Sequence, residues 1–257
     1  MKKNKIVSLR KILFELRMIA SNPFINFFGV GFPIFLAFLI ARSAIGEITD
    51  AGMAKEATTL IFLSLGSIIP LATVLMGYAV SRSIEIEKGI SERMYLFGIS
   101  SMEIVLNRIL AQLVFMMGAF TIYFAVAVGG GFLLAPNWSG VIIYVLCMLT
   151  LTILLFALGH GIAGICRKYG LTYMVSMIVY FAIMVLSGMM GIQNSKFPVP
   201  VRVVSKLLPT TFLNNTDFVS AWLGKSYNPA PILQSFLFMM AFSGIVLFCA
   251  VKREGKE

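Results

Sequence analysis

The sequence predicts an all-α membrane protein, with an amphipathic N-terminal helix followed by six transmembrane helices. Of its 257 residues, 59% are hydrophobic and only 12% are charged, whereas soluble domains carry about 25% charged residues. Six apolar segments have close to the roughly 20 residues that a helix needs to cross a bilayer. This much apolar surface requires lipid as its solvent, so we expect a single membrane domain over residues 1–257.

Residues 4–20 predict an amphipathic helix that lies in the membrane interface. Arg10 and Arg17 lie off its apolar stripe, and basic amphipathic helices of this kind bind the bilayer surface. The stripe itself comprises Leu9, Ile12, Leu13, Leu16, Ile19 and Ala20. The alternative is a helix on the soluble side that packs against a partner. Because the helix precedes the first apolar run, we interpret it as a retained element and not as a cleaved signal peptide.

Six transmembrane segments are predicted after that helix. They cover residues 24–45, 57–80, 103–132, 140–166, 171–190 and 230–251. Pro33 and Pro70 lie inside the first two segments, where neighbouring helices can tolerate the kinks that prolines introduce. Trp138 precedes the fourth segment, at the depth where tryptophan prefers the membrane interface.

The charge distribution predicts that both termini are cytoplasmic. Fifteen of the 21 lysines and arginines fall in the termini, in the loops after the second and fourth segments or, for Arg108, near the start of the third segment. Cytoplasmic segments are enriched in these residues. The same rule explains the net charge of +10, and no basic patch with interleaved aromatic residues points to a nucleic-acid partner.

Residues 85–98 predict a short charged helix between the second and third segments. Ile86, Ile90, Met94 and Phe97 follow a helical stripe, and Gly98 is a typical helix stop. The sequence from Ser100 to Glu103 has the spacing of a capping box, which predicts where the third segment begins. The alternative is a solvated loop whose charges only fix the topology.

The motif in this loop resembles the cytoplasmic loop of ABC-2 type transporter permeases. The resemblance rests on residues 87–94 (EKGISERM), then 98–100 (GIS) and 103–104 (EI). The usual threonine after the glycine is replaced here by Ile90, with Ser91 one place on. In that family the loop forms a coupling helix that docks on the ATP-binding subunit. Carried over to this chain, the resemblance implies partner-binding residues Glu87, Gly89, Ile90, Glu92, Arg93, Met94 and Phe97.

A second stretch resembles the outer segment of the same family. It consists of residues 187–190 (SGMM), 197–200 (FPVP) and 208–211 (LPTT). The resemblance implies that residues 191–229 leave the membrane on the extracellular side and dip back as short helices. The apolar content of this segment favours a packed or re-entrant cap over a loose loop.

Single reactive residues give weaker signals. We interpret His160, which lies among small residues of the fourth segment, as a packing or hydrogen-bonding residue; a proton relay is the alternative. Cys147, Cys166 and Cys249 match neither a disulfide framework nor a metal-binding spacing. No catalytic, cofactor-binding or metal-binding constellation is present in the sequence, so we expect a transport subunit and not an enzyme.

The resemblance implies the membrane subunit of an ABC exporter in a cell membrane, most typically bacterial. ATP and Mg²⁺ would bind a separate ATPase subunit, and a second copy or a related permease would complete the pathway. Because the spans carry few ionisable residues, we expect an apolar or amphipathic cargo, first a small toxin-like or antimicrobial peptide, then a drug. The alternatives are a stand-alone secondary transporter or channel, or a non-transporting immunity or sensor subunit.

Overall fold

The computed structural model describes residues 6–190 and 196–254, and every regular element within them is a helix. Six of the helices are long and apolar enough to cross a membrane. The predicted all-α class with six candidate membrane helices is therefore confirmed. The helices are α1 (Leu9–Ala20), α2 (Pro23–Glu47), α3 (Ala51–Glu87), α4 (Ile90–Leu96), α5 (Ser101–Gly129), α6 (Trp138–Cys166), α7 (Tyr169–Leu186), α8 (Val199–Ser205), α9 (Pro209–Leu213), α10 (Thr216–Trp222) and α11 (Ala230–Glu254).

The helix boundaries differ from the predicted ones at several ends. The second membrane helix is longer than predicted, because α3 starts at Ala51 and continues to Glu87. The third is shorter, since α5 ends at Gly129 and Phe132 turns back into the core. The first helix begins at Leu9 and not at residue 4; residues 4 and 5 lie outside the described part of the chain.

Both predicted proline sites depart from regular α-helical geometry. The segment Phe27–Gly31, just before Pro33, is π-helical, and so is Leu71–Tyr78, just after Pro70. Proline removes a backbone donor from the helical ladder, and π-helical turns are frequent at functional sites. Helix α3 is also interrupted by a turn at Gly66 and Ser67.

Helix α3 forms the centre of the bundle. Its apolar window is 89% buried, whereas the windows of α2, α5, α7 and α11 are each 28% buried and that of α6 is 44% buried. The other membrane helices therefore surround α3 and present most of their own surface outward. Any displacement of α3 has to be accommodated by all of its neighbours.

Close packing of α6 against its neighbours depends on glycines around His160. A Cβ atom at Gly161 would lie 2.8 Å from a methyl group of Val246 and 2.9 Å from the backbone nitrogen of Leu247, in α11. A Cβ atom at Gly159 would lie 3.3 Å from that of Ala79. The small residues therefore let α6 approach α11 and α3, in agreement with the predicted packing role.

The chain between α7 and α11 is packed and not loose. Three short helices, α8 to α10, occupy it, and Leu213, Phe218, Val219 and Trp222 are buried. The indole N–H of Trp222 donates to the carbonyl oxygen of Leu134 at 3.0 Å. These contacts agree with a packed cap; residues 191–195 of the predicted segment lie outside the described residues.

Helix α1 packs on α5 with two of its four charged side chains inward, while Arg10 and Arg17 are exposed. Its side chains Lys11 and Glu15 contact Glu103 and Arg108 of α5. The exposed apolar residues of α1 are Leu9, Leu13, Phe14 and Met18. An apolar face that points away from the protein favours a helix lying on lipid over one packed against a soluble partner.

Candidate coupling site

Two glycines in the left-handed conformation bound the short helix α4. Gly89 precedes the helix with φ 63°, and Gly98 follows it with φ 79°. At the second end, the N–H of Ile99 donates to the carbonyl of Met94 at 3.1 Å, and that of Gly98 to the carbonyl of Tyr95 at 2.9 Å. This pair of bonds is a Schellman motif, so the predicted stop at Gly98 is confirmed.

Side-chain hydrogen bonds hold α4 against the end of α3. The guanidinium of Arg82 donates to the hydroxyl of Ser91 at 2.5 Å. That of Arg93 donates to the carbonyl oxygens of Lys88, at 2.6 Å, and Gly89, at 3.3 Å. These bonds span the turn at Gly89, so α4 is attached to α3 by more than its backbone.

The last residues of α4 and those that follow it expose large apolar side chains. Tyr95, Leu96 and Phe97 are 68%, 83% and 84% exposed, and Met102 at the start of α5 is 65% exposed. We call these four residues the apolar patch. Three consecutive exposed large apolar side chains outside the candidate membrane helices are costly in water, and such patches mark protein–protein contacts.

The seven predicted site residues divide into three groups. Phe97 belongs to the apolar patch and Glu92 is exposed beside it, while Ile90 and Met94 are half-buried against the protein. The others shape or anchor the loop: Gly89 provides the left-handed turn, Arg93 binds carbonyl groups, and the Glu87 carboxylate accepts the N–H of Tyr169, at the start of α7, at 2.7 Å.

Sequence reasoning missed Tyr95 and Leu96. The helical stripe over residues 86–97 directed attention to one face, although α4 is only seven residues long. The available signal was the uninterrupted apolar run before Gly98, because three consecutive residues of a helix cannot all point to the same buried face.

A buried charged cluster lies beside α4. Both terminal nitrogens of Arg108 bind the carboxylate of Glu85, at 2.5 and 2.6 Å, and its Nε binds Glu15 of α1 at 3.1 Å. Arg82 approaches the same Glu85 carboxylate at 3.6 Å. Arg108 and Glu85 are buried, so this cluster connects α1, α3 and α5. We call the end of the bundle that contains it the charged end.

Two further contacts attach α1 to the start of α5. Asn107 donates to the carbonyl of Ile6 at 2.9 Å and accepts the N–H of Ser8 at 3.1 Å. The Glu103 carboxylate pairs with Lys11. The predicted capping box is therefore formed only in its first half: the Ser100 hydroxyl accepts the N–H of Glu103 at 3.2 Å, while the Glu103 side chain turns to α1.

Burial sets the ionisation of Glu15. Desolvation raises the pKa of its carboxyl group above the ordinary value, and the neighbouring Arg108 partly opposes that shift. A buried carboxylate is costly unless a cation compensates it. Glu15 therefore depends on Arg108 for its charged form.

The charged end also contains His160. Its Nδ1 lies 2.6 Å from the hydroxyl of Tyr78, and the ring stacks near Phe156. This contact joins α6 to α3 and agrees with the predicted hydrogen-bonding role. The expectation of spans almost free of ionisable groups needs correction, because Arg108 and Glu85 are buried within α5 and α3. Arg108 lies near the start of the predicted third segment, where the charge pattern counts it only as a cytoplasmic charge.

The order of these elements is decisive when it is compared with known families. The ABC-2 type transporter family matches residues 11–216, which is most of the chain. The chain belongs to this family. It is a multi-pass permease subunit of an ABC transporter, and α4 occupies the loop between its second and third membrane helices. A comparison with curated proteins finds no significant match.

Proposed function

We propose that this ABC-2 permease is the membrane subunit of an ATP-driven exporter, and that α4 is its coupling helix. In this proposal a separate ATP-binding subunit docks on the apolar patch from the cytoplasm, with both termini of the chain on that side. The observation that carries the proposal is the exposure of Tyr95, Leu96 and Phe97 on a helix fixed at both ends. ATP and Mg²⁺ bind the partner and not this chain.

The charged cluster supports transmission from α4 into the membrane domain. A displacement of α4 acts on α3 through Ser91 and Arg82. It then acts on α5 and α1 through Glu85, Arg108 and Glu15. ATP drives this movement only if the nucleotide-bound partner has different affinity for the two states of the permease.

We place the apolar part of the cargo in a groove between α2, α3 and α7. The groove has a cavity volume of about 490 Å³ and is lined almost entirely by apolar side chains. Its walls include Phe24, Phe28, Met76, Tyr180 and Met184. Methionine and aromatic residues adapt to irregular apolar ligands, which favours an amphipathic peptide, or else a lipophilic drug. A second copy or a related permease closes the groove.

Co-purification with the ATP-binding subunit encoded beside this chain tests the proposal. We expect a detergent-stable complex with ATPase activity, and loss of that complex when Leu96 is changed to Asp. ATP-dependent efflux of a labelled amphipathic peptide from vesicles then tests direction and cargo. A chain that purifies alone and moves substrate without ATP would be a stand-alone transporter. A complex that moves no substrate would be an immunity or sensor subunit.

A further inference from the structure

A second cleft lies between α5 and α6, away from the groove assigned to the cargo. Its volume is about 580 Å³, within the roughly 300–1,000 Å³ range of small-molecule sites. The walls are apolar side chains of both helices, including Met117, Val128 and Val145, which are themselves exposed. Since α5 and α6 are candidate membrane helices, these exposed apolar surfaces face lipid and the cleft opens to the bilayer.

An aromatic wedge separates the two helices at the upper end of the cleft. Trp222 stacks on Phe124 of α5, with ring centroids 6.0 Å apart, and meets Tyr144 of α6 edge-on at 6.1 Å. Gly140 permits this approach, because a Cβ atom there would lie 2.4 Å from the carbonyl oxygen of Trp222. The wedge is held by the bond from its indole to Leu134, so the opening is part of the fold.

One cation lies among the cleft-lining residues. Lys55, near the start of α3, is the only charged side chain among them. It is exposed, and in the described residues 6–190 and 196–254 it forms no salt bridge. Lys55 lies at the end of the bundle opposite the charged end, beside the start of α6, where the exposed Trp138 fits a membrane interface.

The cleft has the depth of one membrane leaflet. Its lining runs from position 128 to position 116 along α5 and from 141 to 152 along α6, which is about 17 Å by helix rise. One leaflet is half of the roughly 30 Å hydrocarbon core. A cation at the interface above an apolar channel of this depth matches a lipid with an acidic headgroup and an acyl chain below it.

We propose that this cleft is a binding site for an anionic phospholipid that remains bound to the protein. Lys55 binds the headgroup phosphate, and one acyl chain fills the cleft between α5 and α6 beneath Trp222. The site is separate from the exporter function proposed above, because neither α4 nor the groove between α2, α3 and α7 takes part in it.

Fluorescence quenching tests the site directly. The chain contains two tryptophans, and Trp138 is 82% exposed, so Trp138→Phe leaves Trp222 as the single reporter. The variant is placed in vesicles of neutral phosphatidylcholine. Increasing fractions of a lipid with brominated acyl chains are then added, either brominated phosphatidylglycerol or brominated phosphatidylcholine. We expect the acidic lipid to bind about fivefold more tightly than the neutral one, the factor that one lysine near the headgroups provides.

Two substitutions and a matched control separate the contributions. Lys55→Gln should abolish the difference between the two lipids, whereas Lys225→Gln, an exposed lysine that does not line the cleft, should preserve it. Val145→Phe should fill the cleft and reduce quenching by both lipids. Equal quenching by the two lipids would overturn the proposal, as would a preference that survives Lys55→Gln. If neither lipid quenches Trp222, protein such as a second copy closes the cleft. That result would also overturn the lipid-site proposal.

Discussion

The guanidinium of Arg108 binds both carboxylate oxygens of Glu85 across the interface of two membrane helices, at 2.5 and 2.6 Å. Such a two-point contact fixes orientation as well as distance. Because Nε of the same guanidinium also binds Glu15, a single side chain sets the relative position of α1, α3 and α5.

Removing Arg108 should strongly destabilise the protein. Arg108→Met leaves the half-buried Glu15 without its partner and the buried Glu85 with only the more distant Arg82, at 3.6 Å; breaking a buried pair costs about 3–5 kcal/mol. Thermal unfolding in detergent measures the loss. Arg42→Met is the control, since Arg42 is exposed and forms no salt bridge in the described residues, and it should change stability by less than about 0.5 kcal/mol.

Neutralising both carboxylate partners of Arg108 as well should restore much of that stability. Glu15→Gln/Glu85→Gln/Arg108→Met removes Arg108 together with both of its carboxylates and leaves Arg82 its bond to Ser91; replacing complete buried ion pairs is often neutral or stabilising. A triple variant as unstable as Arg108→Met alone would show that packing, and not charge, is what Arg108 contributes.

The exposed side of α4 should control partner binding. Leu96→Asp places a charge in the apolar patch and should weaken binding of the ATP-binding subunit at least about tenfold, the loss typical of a central contact residue. Glu92→Lys should act in the same direction, since Glu92 is exposed beside the patch. Affinity is measured by titration of the purified partner.

The control for these variants is Glu56→Lys, an exposed charge reversal near the opposite end of α3. It should leave partner binding unchanged. Glu87 and Arg93 are less suitable positions, because they bind Tyr169 and the carbonyls of the Gly89 turn. If Leu96→Asp binds the ATP-binding subunit normally, α4 is not part of the docking surface.

Gly98→Ala should loosen α4 through backbone strain alone. A Cβ atom at Gly98 meets no other atom within 4 Å, but its φ is 79°. The left-handed conformation costs a residue with a side chain about 1–2 kcal/mol. Hydrogen exchange of the α4 amides should therefore become faster. The control is Gly118→Ala within α5, where a Cβ atom also meets no other atom within 4 Å. It should leave the exchange of the α4 amides unchanged; faster exchange in this control would show that strain at Gly98 is not the cause.

Protonation of the Glu15 carboxyl group at low pH should stabilise the folded protein. Its folded-state pKa is raised by burial above the ordinary value of 4.5, so its contribution to stability is complete below that value and is lost as the pH rises through the folded pKa. The stability of the wild-type protein relative to Glu15→Gln should therefore increase as the pH falls toward 4.5. Thermal unfolding of both proteins over that pH range measures the difference in their stability. A stability difference that does not change with pH would contradict a raised pKa for Glu15.

Composition and segment length were sufficient to predict the six membrane helices, because each must bury about 20 apolar residues regardless of its neighbours. The stop at Gly98 was predictable for a similar reason, since the left-handed turn is a local property of glycine. Helix ends were less accurate, as at Gly129, because they depend on tertiary contacts such as those of Phe132.

The charged cluster was not predictable from residue order. Glu15, Glu85 and Arg108 are far apart in sequence, and each alone looks like an ordinary charge at a membrane boundary. They pair because α1 packs on α5, and this packing cannot be deduced from a single amino-acid sequence. The half-formed capping box has the same origin: local spacing favoured a bond from Glu103 to its own helix start, and the distant Lys11 competes for it.

Helix α1 directs Lys11 and Glu15 toward α5 and exposes Leu9, Leu13, Phe14 and Met18, while Arg108 connects it to the helices that α4 would displace. On the lipid-facing interpretation, the exposed apolar side chains of α1 would lie among the lipid headgroups. In the proposed mechanism, a displacement of α4 would also displace α1 through Arg108, so the viscosity and lateral pressure of the headgroup layer would add to the work that ATP has to supply.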